Sequence, residues 1–334
     1  MNLKLKNIGI IEKANIKLDG LTVIAGENDS GKSTVGKVIY SFLKTILSVP
    51  TKRGVEPLCG WHCSRFNDYL LSLFNNQIST NGEINIRYNE NDFNIIISSD
   101  RCKIFESIPI YEHNAFILDK PLFIDSPYIW NILPSLKTIV NLESQKINVD
   151  FKVNKTINDL YVAITSDSNN SKETINLDIK SIIKGEFIQR SDESFSFQKE
   201  GKNIALLNTA MGIKYFGILQ VLSEKNHLYK GQMLILDEPE VHLHPKWQLE
   251  LAKVIVFLVK EGVEILVNSH SPYMIEALER YSEQYDIKNK TNFYLAHNNT
   301  IEKVEDSNSR TLSVIFEKLS EPFDVFENMK SDRL

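Results

Sequence analysis

One run, Gly26-Glu27-Asn28-Asp29-Ser30-Gly31-Lys32-Ser33, constrains this chain more than any other, because it completes the pattern G-x-x-x-x-G-K-S. Its flanks carry equal weight. Leu21-Thr22-Val23-Ile24-Ala25 is short, apolar and partly β-branched, as a buried strand is. From Thr34 to Leu47, the residues Val35, Val38, Ile39, Phe42, Leu43 and Ile46 recur at helical spacing. Strand, glycine loop and helix form a phosphate cradle: backbone N–H groups aim at one point, where the helix dipole also favours negative charge. Gly26 through Thr34 are therefore candidate nucleotide-binding residues. Lys32 can reach the β/γ-phosphates, and the Ser33 hydroxyl can ligate Mg²⁺. The sequence predicts a nucleoside triphosphate site.

The rest of the composition narrows the setting. A chain of 334 residues can bury one large core, or a core with a smaller subdomain. Its formal net charge of −5 gives no global basic footprint, so any nucleic-acid surface must be a local patch. Three cysteines, Cys59, Cys63 and Cys102, make no disulfide framework and point to a reducing compartment. Met1-Asn2-Leu3-Lys4-Leu5-Lys6 alternates like a strand rather than a signal peptide, and no stretch reaches membrane-spanning length. A cytoplasmic protein with no membrane contact is expected.

Residues 2–25 read as an antiparallel pair leading into the P-loop strand, with Lys4, Lys6, Lys13 and Lys17 on its wet face. A duplex against those lysines is the sharper alternative. Cys59-Gly60-Trp61-His62-Cys63 invites a zinc reading, but no second ligand pair stands at useful spacing, so ordinary thiols are expected. Asp68 to Phe74 looks helical, and residues 83–97 read as a hairpin. Short strands are predicted near 102–105 and 121–125. Residues 128–184 lack glycine and carry apolar residues at helical spacing, which predicts a mostly helical, lid-like insertion, loosest around 165–173. Strands return over 185–207, with a turn at Gly201-Lys202. Asn208-Thr209-Ala210-Met211-Gly212 then opens a helix through Leu222. A strand near 292–296 and a helix from about Thr311 end the reading. This gives an α/β P-loop NTPase with an N-terminal antiparallel β subdomain and three parts: 1–127 with the P-loop, 128–184 helical, and 185–334.

Two strand ends carry the remaining chemistry. Met233-Leu234-Ile235-Leu236 delivers Asp237 and Glu238, the first placed to hold Mg²⁺ and the second to polarise an attacking water. Val263 to Val267 delivers Asn268-Ser269-His270, from which His270 can touch the γ-phosphate. Lys32, Glu238 and His270 are the candidate catalytic residues. Glu240, His242 and His244 lie close enough to suggest a metal. The plainer expectation is a loop in which Pro245 starts the next helix.

Asn7-Ile8-Gly9 with Leu21 to Thr34, the run Asp237-Glu238-Pro239-Glu240-Val241-His242-Leu243-His244-Pro245, and Asn268 to Pro272 stand in an order that resembles ABC-type ATPase heads. The closest likeness is to the RecF/SMC-like branch, and within it to prokaryotic AAA-family ATPases related to the OLD (overcoming lysogenization defect) proteins. It covers both ends of the chain and little of residues 50–200. The resemblance implies ATP and Mg²⁺ as ligands and a homodimer in which each head completes the other's site. Asn208 to Gly212 fills the slot of the signature segment, with Thr209 and Gly212 as its nucleotide contacts, although it departs from L-S-G-G-Q. The family's Q-loop glutamine has no clear counterpart among Gln77, Gln145 and Gln189.

A nuclease of the OLD type would add a metal-binding acidic domain of roughly 100 residues. Here only a short tail follows His270, and Glu302, Glu305 and Asp306 lie in one polar turn. A transporter ATPase fits poorly with the altered signature. Small-molecule phosphotransfer would need a substrate pocket that the sequence does not announce. The expectation is an ATPase whose ATP-gated dimer regulates a separate effector protein, in the anti-phage setting of many OLD-related ATPases. The alternative is a DNA-binding RecF/SMC-like ATPase in repair or recombination.

Overall fold

A computed structural model of the chain describes residues 1–47, 59–74, 81–88, 91–98, 101–105, 121–145, 153–168 and 172–331. Strands β1 (Asn2–Ile8) and β2 (Ile11–Lys17) form a hairpin in which Lys6 opposes Lys13 and Ile8 opposes Ile11. Their inward residues, Leu3, Leu5, Ala14 and Ile16, are buried while the lysines stay wet, the alternation of a sheet covered on one side. Strand β3 (Leu21–Gly26) is buried at all six positions, as a parallel strand covered on both faces must be. The P-loop follows, and then α1 (Lys32–Leu47).

Helix α2 (Cys59–Leu73) begins well before the helix read at Asp68. The strands β4 (Asn81–Tyr88), β5 (Asn91–Ser98) and β6 (Arg101–Phe105) form an antiparallel meander, and β7 (Leu122–Ile124) is a three-residue edge strand. Residues 128–184 contribute α3 (Ile129–Ser144), α4 (Lys155–Thr165) and the short α5 (Ile179–Ile183). Asn154 caps α4 by accepting from Thr156 N–H at 3.0 Å. Part of the stretch expected to be loosest, 169–171, lies outside the described residues.

Strands β8 (Glu186–Gln189), β9 (Phe195–Lys199) and β10 (Lys202–Ala205) form a separate three-stranded sheet. Then come α6 (Met211–Glu224), β11 (Met233–Asp237), α7 (Pro245–Lys260), β12 (Glu264–Ser269) and α8 (Pro272–Gln284). The last elements are β13 (Thr291–His297), β14 (Thr300–Glu302) and α9 (Asn308–Ser331).

The main sheet has eleven strands in the order β6-β5-β4-β1-β2-β14-β13-β3-β12-β11-β7. Strands β13, β3, β12, β11 and β7 run parallel, and β14 joins them to the antiparallel strands by pairing antiparallel with β13 and parallel with β2. The N-terminal β subdomain is thus one wing of a continuous sheet. The linking strand β14, only three residues long, has no expectation in the sequence reading.

Because successive side chains on a strand point to opposite faces, the central strands feed two cores. Met233, Ile235 and Leu266 face α1 and α2, while Leu234, Leu236, Ile265 and Val267 face α6, α7 and α8. The helices of 128–184 share that second core through Trp130, Leu133, Leu160 and Ile164. Trp130 is the tie to α6: it is fully buried, packs 5.1 Å from the rings of Phe187 and Phe195, and donates from Nε1 to Lys214 O at 2.8 Å.

Candidate active site

The parallel strands set the site by register. Ala25 of β3 lies beside Ser269 of β12, and Asp237 of β11 lies beside Asn268. Three strands therefore end together at their carboxyl edge, the usual place for ligands in open α/β sheets. The P-loop turns back there with Asp29 at φ 61° and Gly31 at φ 90°. A side chain at Gly31 would also meet Ile11 Cγ1 at 2.6 Å, so glycine alone satisfies both the turn and the space. Helix α1 starts at Lys32 and lies close over the sheet because Gly36 lets it: a Cβ there would come within 2.9 Å of Ile235 Cγ2.

Lys32 is 4 % exposed and donates from Nζ to Gly26 O at 2.9 Å and Glu27 O at 2.6 Å. Burial lowers its pKa, and the nearby carboxylates, Glu238 first, push back. Its ammonium lies 3.9 Å from Glu238 Oε1. Ser33 Oγ donates to Asp237 Oδ1 at 3.0 Å, and Asn268 Nδ2 donates to the same oxygen at 2.8 Å. Burial raises the Asp237 pKa above the ordinary 3.8; these two hydrogen bonds oppose the shift, and the Glu238 charge adds to it. A hydroxyl and a carboxylate meeting at 3.0 Å are hard oxygen donors of the kind Mg²⁺ takes, with phosphate and water supplying the remaining oxygens.

Glu238 sits at φ 49°, a left-handed conformation uncommon for glutamate, and its N–H donates to Asn268 O at 2.9 Å. Its carboxylate is one-third exposed, with Oε1 3.5 Å from His270 Nδ1. Lys32, Ser33, Asp237, Glu238 and His270 therefore come together at one edge. Glu27, Asn28 and Asp29 are exposed along the loop, and Ser30 Oγ is turned back to Glu27 O at 2.7 Å. His244 caps α7, accepting at Nδ1 from Lys246 N–H at 3.3 Å, with Pro245 at the helix start.

The signature-like segment stands differently from the expectation. Thr209 is buried and donates its hydroxyl to Ala205 O at 3.1 Å, within the 3₁₀ turn that precedes α6. Gly212 faces inward: a Cβ there would lie 2.8 Å from Leu243 Cδ2 and 3.4 Å from His242 O. Both side-chain positions are used for packing, so any contact with a second head falls to the exposed Asn208 and Ala210 and to the open N–H groups of the helix start.

The Q-loop question also changes. Gln77 lies outside the described residues, Gln145 is exposed just past α3, and Gln189 ends a strand of the small sheet. The residue that reaches the site from the strand beside β11 is Asp125: Ile124 pairs with Leu236, which brings Asp125 next to Asp237. Protein crowding around its carboxyl raises the Asp125 pKa, and the charge of Asp237 adds to that. The apolar run over 121–124, followed by Asp125 and ended by Ser126-Pro127, is the sequence signal for it.

Three of the basic residues on the antiparallel wing are paired: Lys6 with Glu83 at 3.8 Å, Lys17 with Asp19 at 2.8 Å, and Arg87 with Asp92 at 2.7 Å. Glu305 and Asp306 occupy a tight turn with φ of 53° and 52°, and Glu305 lies 3.8 Å from Arg310. Among the described residues, no group of three or more His, Cys, Asp or Glu side chains is arranged to hold a metal ion, and no helix is long and apolar enough to cross a membrane.

Comparison with known proteins bears on the fold and the family. A crystal structure of an SMC head bound to the C-terminal winged-helix domain of ScpA aligns over 90 % of this chain and 96 % of its own, at 14 % identity and a TM-score of 0.51. An ATP-binding cassette of an ABC transporter in its ADP conformation aligns over 96 % and 99 %, at 14 % identity and a TM-score of 0.42. At such identity the likeness is one of fold. The Septu protein PtuA of Bacillus thuringiensis is 35 % identical over 49 residues, which span 15 % of this chain and 12 % of that protein. The family described as AAA domain, putative AbiEii toxin, Type IV TA system matches residues 109–276, half of the sequence. The chain belongs to that AAA family, on a mixed α/β fold like that of an SMC head.

Proposed function

We propose that this P-loop ATPase is Mg²⁺-dependent, pairs two heads around ATP, and governs a separate effector protein by its nucleotide state. The observation that carries the reading is the meeting of Lys32, Ser33, Asp237, Glu238 and His270 at one sheet edge. Lys32 exchanges its bonds to Gly26 O and Glu27 O for phosphate oxygens. Ser33 and Asp237 would hold Mg²⁺, which would supply charge neutralisation at the phosphates. Glu238 accepts a proton from the attacking water, and His270 contacts the terminal phosphate.

An ATP cycle does work only where the ATP and ADP states bind something unequally. The ScpA domain seated on the aligned SMC head supports a protein as that something. The resemblance to OLD-related ATPases supports an anti-phage role. Pairing of Lys6, Lys17 and Arg87 with carboxylates weakens the phosphate-binding wing that the DNA reading needs.

Phosphate release and light scattering, each with ATP and with or without Mg²⁺, test the cycle. Hydrolysis only with Mg²⁺ and a dimer only with ATP are expected. The effector reading is tested by incubating the chain with ATP, Mg²⁺ or Mn²⁺, and plasmid or RNA. Metal-dependent cleavage lost on replacing Glu302, Glu305 and Asp306 would overturn it.

A further inference from the structure

Glu240 lies three residues beyond Asp237 and only 4 % exposed, and the site described above leaves it without a role. One oxygen, Oε1, accepts from Ser269 Oγ at 2.8 Å, His270 N–H at 2.8 Å and Ser271 N–H at 3.2 Å. The other, Oε2, is buried with no hydrogen-bond partner. A buried carboxylate is costly unless its bonds do something that an apolar residue could not. Three donors from three consecutive residues fix the end of β12, where His270 begins. A second lacing backs this up: Ser271 Oγ donates to Gln248 Oε1 at 2.6 Å, while Gln248 Nε2 donates to Leu243 O at 3.1 Å.

The His270 ring adds the functional clue. Its Nδ1 is buried and hydrogen-bonded to nothing, yet lies 3.5 Å from Glu238 Oε1 and 3.5 Å from Glu240 Oε1. The two oxygens are not equivalent. Glu238 is one-third exposed and close to Lys32, whereas Glu240 is buried and held by three bonds. When Glu238 turns to a water, the immobile oxygen is the one left to take the ring.

We propose that Glu240 is a positioning residue: its Oε1 anchors the backbone and Nδ1 of His270, so that Glu238 is released to act on water while the ring is kept in place for the terminal phosphate. This rests on the reading of Glu238 and His270 given above. That anchor requires Nδ1 to carry the ring hydrogen, because both of its neighbours are carboxylate oxygens, acceptors only.

Because the role is one of reach, Glu240→Gln keeps the acceptor in place and Glu240→Asp withdraws it by one methylene. In the full chain, Glu240→Asp is expected to lower kcat on the order of 10- to 100-fold with KM for ATP little changed, and Glu240→Gln to stay within about threefold of the parent. In a His270→Ala background, Glu240→Asp should add nothing. Equal kcat for all forms, a falling melting temperature with unchanged kcat, or additive losses with His270→Ala would each overturn the proposal. An active Asp variant beside an impaired Gln variant would do the same. A measurement independent of these variants is nitrogen NMR of histidine-labelled Glu238→Gln protein loaded with ATP: Nδ1 of His270 should be the protonated ring nitrogen, and a bare Nδ1 would refute the anchor. Failure of the underlying reading shows separately, as Glu238→Gln or His270→Ala hydrolysing ATP at the parent rate.

Discussion

Replacing Glu238 by Gln should change stability in opposite directions with and without nucleotide. Without nucleotide, the carboxylate lies 3.9 Å from the buried ammonium of Lys32. At an effective dielectric constant of about 20, that separation corresponds to a gross attraction of about 4 kcal/mol. Solvent at the one-third-exposed carboxylate screens much of this, and the amide also relieves repulsion with Asp237. A net loss of about 1 kcal/mol is expected, which in a chain of this size lowers the melting temperature by roughly 2 °C. With ATP at a hundred times its dissociation constant, binding returns about 2.7 kcal/mol, and the variant keeps its ligand because it does not consume it. Its hydrolysis should fall by about 100-fold or more, the share of a positioned general base. Thermal melts with and without MgATP, beside phosphate release, make the assay. A variant that melts higher without nucleotide would refute the Lys32 pairing, and parent-rate hydrolysis would refute the general-base role.

Three further substitutions separate the remaining parts of the site. Lys32→Ala should abolish ATP binding by calorimetry, since the loop loses its one buried cation among the described P-loop residues. Asp237→Asn should stop Mg²⁺-dependent hydrolysis and yet raise the melting temperature at neutral pH. Because the folded pKa of Asp237 is raised, its stabilising contribution is full below about 3.8 and is lost as pH rises through the raised value; the variant's advantage should therefore open above that window and vanish below it. Gly212→Asp would drive a side chain into Leu243 at 2.8 Å and cost on the order of 1–3 kcal/mol, so it is a poor probe of dimerisation. Ala210→Asp is the better one: Ala210 is the exposed N-cap of α6, where Asp suits the helix but sets a carboxylate against a second head's phosphate. Light scattering of Ala210→Asp in the Glu238→Gln background should show a monomer with ATP; an ATP-induced dimer would mean that α6 does not face the second site.

The parts of this molecule that were legible beforehand share one property: their chemistry is local in sequence. The P-loop, with its strand and helix, sits within Leu21–Leu47, and Asp237, Glu238 and His270 each end an apolar run that can be read without a partner. What escaped depends on contacts distant in sequence. Asp125 joins the site only because β7 pairs with β11, and Glu240 matters only because β12 delivers three donors to it. Thr209 and Gly212 are the expected nucleotide contacts, but which way they face is decided by Ala205 and by the His242–Leu243 loop. The first residues of α2 carry no clear apolar stripe before Phe66, so periodicity alone places the start of that helix too late.

The order of strands in the large sheet also decides when this chain can fold. Ala25, beside the P-loop, pairs with Ser269 on one side and Leu295 on the other, and the β1–β2 hairpin joins the parallel strands through Thr300 and Ile301 of β14. A ribosome that has released the P-loop has therefore made a strand with two open edges and no neighbour to fill them. Lys32 and Ser33 cannot be set against Glu238 and Asp237 until β11 exists, nor β3 closed on both sides until β13 does. Pairings this distant in sequence are slow to form and leave apolar edges exposed meanwhile. A chain cut before Thr291 would carry every candidate nucleotide-binding motif and still leave the P-loop strand with one open edge.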